Sequence, residues 1–208
     1  MKSIRTTILS AALVLLPFIA AGQTRDLPAD FGSWVSVQAT KSLGKGFVAV
    51  RAEHRSFEKM SATECWFLMA DGGYKITPWL TADVSYEFWQ IAGKPYHKAI
   101  GCVTGTLRQG NLSAALREKY EFCFSTHSAS NSTLRSRLKV QYSIPESRFR
   151  PYISAEVFNW DCWKRSLYYV GTDIVVSKHS SFDIFYLYHI QAAGPSVNLI
   201  GLGYNLSL

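Results

Sequence analysis

The side chains able to do chemistry fall at every second position. Arg135, Arg137 and Lys139 alternate with Leu134, Leu138 and Val140, and Asp83 and Glu87 alternate with Ala82, Val84, Tyr86 and Phe88. Successive strand side chains point to opposite faces, so this spacing gathers ions on one wall and apolar groups on the other. By the same count Arg51, Glu53, Arg55, Arg117, Lys119, Glu121, Glu156, Arg165, Asp173 and Asp183 join the charged wall, giving eight cations and seven carboxylates. A buried unpaired ion carries a penalty of several kcal/mol, so near balance predicts pairing and a mostly closed interior. The alternative is a charged pathway for a small solute, with Arg135, Arg137 and Lys139 as its ladder.

Catalytic and metal constellations are sparse. His127-Ser128-Ala129-Ser130-Asn131 invites comparison with the His-x-Ser-Asn pattern of lipid deacylases, but that pattern needs Ser at 129 and Asn at 130. A nucleophile also needs a base held within hydrogen-bond reach, which a Ser-rich loop does not supply. His54, His97, His179 and His189 show no His-x-x-x-His spacing, and Cys65, Cys102, Cys123 and Cys162 no C-x-x-C spacing. No catalytic residue, metal or cofactor is expected, and the pairing of the cysteines stays open. Glu118 resists the scheme, because it shares a face with Leu116, Tyr120 and Phe122. Either a bulge shifts the register there or the face is misassigned.

The elements that position these residues are strands. Alternation runs from about residue 47 to the end without a convincing helical period. Expected strands cover 47–57, 64–76, 79–90, 97–108, 112–124, 132–143, 150–159, 165–176, 181–191 and 197–208. Thr77-Pro78, Gln109-Gly110-Asn111, Pro145 to Arg148 and Ser177 to Ser180 supply turns, and Ala92 to Pro95 and Ser125 to Ser132 connectors. A further strand is possible at 33–40. Trp160-Asp161-Cys162-Trp163 reads as a connector suited to meeting a partner. The fold class is an all-β, antiparallel transmembrane barrel of about ten strands, with twelve possible, because bacterial barrels bring both termini to one side.

Residues 1–22 read as a signal peptide: Lys2 and Arg5, an apolar run from Ile8 to Ile19, then Ala20, Ala21 and Gly22. Residues 23–46 form a lead-in or extra strand, and 47–208 the barrel. Removal of the leader lowers the formal charge from +7 to +5. Export argues against nucleic acid as the counter-surface and favours membrane lipids. Aromatic residues make up 14% of the chain, with 11 Tyr and 6 Trp, and Trp79, Tyr86, Phe88 and Trp89 sit near strand ends as interfacial girdles do. A soluble sandwich also alternates, but would put the charged face outward.

The final strand, Gly203-Tyr204-Asn205-Leu206-Ser207-Leu208, resembles the terminal signal that barrel-assembly machinery reads, with Leu208 in place of the usual aromatic. Tyr74-Lys75-Ile76-Thr77-Pro78-Trp79-Leu80, Leu134-Arg135-Ser136-Arg137-Leu138 and Tyr152-Ile153-Ser154-Ala155-Glu156-Val157-Phe158 resemble an outer-membrane barrel family of Gram-negative bacteria known only as a domain of unknown function. That resemblance spans most of the chain and implies fold and outer-membrane location without a mechanism. The expected function is structural or interactive. A narrow porin-like passive pore is the alternative, and a lipid-modifying enzyme the third reading.

Overall fold

The computed structural model describes residues 30–126, 128–160, 162–191 and 196–208. Eleven strands follow one another: β1 (Asp30–Leu43), β2 (Gly46–Phe57), β3 (Ala62–Thr77), β4 (Leu80–Ile91), β5 (Lys94–Gln109), β6 (Leu112–Ser125), β7 (Ser128–Tyr142), β8 (Phe149–Trp160), β9 (Cys162–Val175), β10 (Ser180–Gln191) and β11 (Val197–Ser207). Each pairs antiparallel with its neighbours in sequence, and β1 closes the barrel by pairing parallel to β11 from Asp30↔Val197 to Thr40↔Ser207.

The expectation of about ten strands therefore changes to eleven. The segment at 33–40 is a full strand whose backbone groups satisfy the otherwise open edge of β11, and an odd number of up-and-down strands makes the closing pair parallel. The connectors are also shorter than expected. Ala92 and Gly93 alone link β4 to β5, both with positive φ (49° and 75°), the geometry of a tight two-residue hairpin. The expected connector at 125–132 is mostly strand, since β7 begins at Ser128.

The strand order defines two ends. Asp30 lies at one with the β2–β3, β4–β5 and β6–β7 connections. Ser207 lies at the other with the β1–β2, β3–β4, β5–β6, β7–β8 and β9–β10 turns. At the Asp30 end the Asp30 carboxylate accepts the Glu58 and Lys59 amides at 2.9 and 3.3 Å, fastening the left-handed run Glu58–Met60 to the rim.

The inner wall is not uniformly polar. Tyr152, Phe158, Leu167, Tyr169, Leu187 and Leu199 form a buried cluster inside β8–β11, with Trp34 and Phe185 against it. Gly171 and Gly201 make room for it: a Cβ on Gly171 would meet Phe185 Cβ at 2.7 Å, and one on Gly201 would overlap the Phe185 ring. Cys65, Phe67 and Trp89 form a second cluster on β3 and β4.

Candidate functional site

The strand pleat turns all fifteen charged residues singled out above to the inner wall, where pairs meet across strands that are not neighbours. Lys119 on β6 reaches Glu87 on β4 at 3.5 Å, and Lys139 on β7 reaches Asp173 on β9 at 3.3 Å. Tyr152 on β8 donates to Asp183 on β10 at 2.8 Å. Alternate apolar residues face away and are exposed, as at Val84, Leu116, Ile153, Ile184 and Leu202.

Toward the Asp30 end the carboxylates are glutamates. Glu53 takes Arg55 Nε at 2.7 Å and is also paired with Arg51. Glu121 holds Lys119 at 2.8 Å, Arg135 at 2.5 Å and Lys98 at 3.7 Å. Arg135 also gives Nε and Nη2 to Glu156 at 2.9 and 2.8 Å, and Trp89 donates to Glu87 at 2.7 Å. Aromatic faces carry the same cations: Arg55 lies 3.9 Å from the Trp34 ring, Lys98 3.9 Å from Trp89, and Arg135 and Arg165 4.2 and 4.0 Å from Phe158. Cation–π contact in a desolvated site supplies up to about 2 kcal/mol without cancelling the charge.

Toward the Ser207 end the carboxylates are aspartates. Asp83 lies 3.9 Å from Arg117, whose Nε donates to Cys102 Sγ at 2.9 Å. Asp173 accepts Lys139 and Gln141. Arg137 donates to Ser154 at 2.8 Å and lies over the Tyr169 ring at 4.6 Å. The basic stripe Arg135, Arg137, Lys139 is thus answered along its whole length by Glu121 and Glu156, by Ser154 and Tyr169, and by Asp173.

Among the described residues, two partly buried inner-wall charges escaped the sequence pattern. Lys98 sits between Tyr96 and Ile100 on the inward face of β5, and Asp71 between Met69 and Gly73 on that of β3, so neither belongs to a polar stripe. Trp89 corrects a girdle assignment, because the pleat turns it inward, 6% exposed and stacked on Phe67 at 4.3 Å. Glu118 does face outward. The β6–β7 irregularity lies at Cys123/Ser125, away from it, and Ser136 on the same outer face donates to its carboxylate at 2.7 Å.

Cys65, Cys102 and Cys123 are free thiols. Among the described residues no group of three or more His, Cys, Asp or Glu side chains is placed to hold a metal ion. His127, Asp161 and the proposed signal peptide lie outside the described residues. β8 and β9 extend to Trp160 and Cys162, so strand takes up part of the connector read at 160–163.

The arrangement is a belt of shared ions lining a barrel whose outer surface is apolar. It presents many fixed donors and acceptors at the wall. The model of the family described as "Protein of unknown function (DUF2490)" matches residues 31–198, and the chain belongs to that family. No curated protein matches it.

Proposed function

We propose that this barrel resides in the outer membrane of a Gram-negative cell, exported by residues 1–22, and serves there as a structural or interaction protein with an ion-paired, largely closed lumen. The observation that carries the reading is the inverted polarity of the wall. Val50, Val84, Ile153 and Val170 project outward at 55–69% exposure, while Glu53, Glu87, Glu121 and Glu156 are buried inside at 4%. Water outside would favour the reverse. Lipid outside favours this one, since a spanning structure must hide its polar groups internally and a closed barrel leaves no edge.

Exposed aromatics support the same reading. Tyr74, Trp79, Tyr142 and Phe149 mark the Ser207 end of the outer wall, and Trp66, Phe124 and Tyr188 the Asp30 end. Between them lies a mostly aliphatic belt that also carries Tyr86 and Tyr186, as at a bilayer with two interfaces. Membrane lipids are then the principal partner, and β11, with Tyr204, Leu206 and Leu208 on one face, is the strand offered to assembly machinery. The reading assigns no catalysis and no cofactor.

Electrophoretic mobility in mild detergent before and after boiling, with circular dichroism, tests it. A faster unboiled band with a β spectrum is expected. Equal mobility with full solubility in plain buffer would overturn the membrane assignment. Planar bilayers separate the closed barrel from a narrow passive pore: silence over many insertions is expected, and discrete steps altered by Arg137→Glu would establish the pore.

A further inference from the structure

A cavity of about 300 Å³ occupies the Asp30 end of the lumen, with a wall that includes Trp34, Arg55, Lys98, Arg135, Arg165 and His189. That size is at the small end of ligand sites, enough for a compact solute. Three features of the wall are unbalanced in the same sense.

The first is Arg165. It rests on the Phe158 ring at 4.0 Å and makes no ion pair among the described residues. Among the described residues its carboxylate neighbours, Glu121 and Glu156, act on it only at longer range than an ion pair. The second is the local ion count. Among the described residues that line the cavity, Arg55, Lys98, Arg135 and Arg165 stand against Asp30 and Glu64, an excess of two positive charges. Both carboxylates lie at the mouth, where Asp30 accepts backbone amides of the rim and Glu64 is exposed. The third is a pair of buried nitrogens, Trp34 Nε1 and His189 Nε2, that have no hydrogen-bond partner among the described residues. The indole N–H can only donate, and a buried donor left unmade costs about 1–3 kcal/mol, so at Trp34 the folded wall keeps an unmet demand for an acceptor.

We propose that this cavity binds a small dissolved oxyanion, the carboxylate or phosphate group of a compact solute, seated between Arg165, Trp34 and His189. The guanidinium fork suits two oxygens of one such group, and the indole N–H suits a third contact. The aromatic faces below the cations are already occupied by them, so the anion meets the free N–H edges. The cavity lies on the inner side of the strand wall, which selects a solute over the headgroup of a surrounding lipid. The proposal goes beyond the membrane reading and does not depend on it, because it concerns only the inner wall.

The test is isothermal titration of the purified full chain in nonionic detergent with inorganic phosphate and with benzoate, against chloride at equal ionic strength. Saturable binding of at least one probe is expected, weakened at least about tenfold by Arg165→Gln and by Trp34→Phe. Arg108→Gln, an exposed charge at the opposite end of the inward face of β5, should change it less than about twofold. Heat-modifiable mobility of each variant reports the barrel separately from the site. No saturable binding of either probe, or equal weakening by Arg108→Gln, would overturn the site. Should Arg165→Gln not fold, Trp34→Phe and His189→Asn carry the same comparison, and undiminished binding in both would also overturn it.

Discussion

Toward the Asp30 end the lumen carboxylates are Glu53, Glu87, Glu121 and Glu156, their side chains 1–6% exposed, and Glu121 alone serves three cations. Toward the Ser207 end Asp83 and Asp173 are 9% and 23% exposed, and each contacts one cation. Asp183 takes a tyrosine hydroxyl, and Asp71 keeps one oxygen without a partner. The longer glutamate carries its charge away from the wall into the crowded middle, where a desolvated ion must collect several counter-charges to be tolerated. Asp83 and Asp173 stay near the wall and closer to water, where one partner suffices. Side-chain length thus accompanies a division into a dry half and a wetter half.

Removing a dry-half carboxylate should break the comparison most visibly. Glu121→Gln leaves Lys98, Lys119 and Arg135 short of a shared counter-ion, and a loss of about 3–5 kcal/mol is expected in urea unfolding of the detergent-refolded barrel. A loss under 1 kcal/mol would mean that water already reaches this layer. Next comes Phe158→Leu, which keeps an apolar wall but removes the ring beneath Arg135 and Arg165. About 1–2 kcal/mol should be lost in the same measurement. Asp173→Asn, in the wetter half, should cost no more than about 1 kcal/mol, since both it and Lys139 are partly exposed. A cost equal to that of Glu121→Gln would erase the distinction between the halves.

Outside the barrel the expected sign reverses. Glu118→Leu removes a carboxylate from the middle of an apolar face and should raise stability in lipid by about 1 kcal/mol, read as a higher urea midpoint in vesicles. Lower stability in vesicles would mean that Glu118 and Ser136 make a contact the barrel needs.

Much of the wall was legible in advance because the strand period is two and the charges obey it. Phe182, Ile184, Tyr186 and Tyr188 face out and Asp183, Phe185, Leu187 and His189 face in, as their alternation implies. Legibility fails where both faces of a strand are apolar or small. β5 carries Ile100 and Cys102 inward and Ala99, Gly101 and Val103 outward, so no contrast marks Lys98 as an inner ion. Trp89 was misread for a related reason: nearness to a strand end suggested an interface, while parity placed it inside. The cavity was not legible at all. Trp34, Lys98, Arg165 and His189 meet only because strand tilt brings different registers of β1, β5, β9 and β10 to one level, and tilt is a property of closure around the whole circumference.

The parallel seam between β1 and β11 gives the barrel a vectorial character. The backbone starts its first strand at one rim and finishes its last at the other, so the two ends of the described fold open on opposite sides. In a membrane, an epitope placed just before Asp30 and another placed after Leu208 would stand in different compartments, and only one would be reachable from outside intact cells. The molecule would then carry its own compass, with orientation readable from two labels alone.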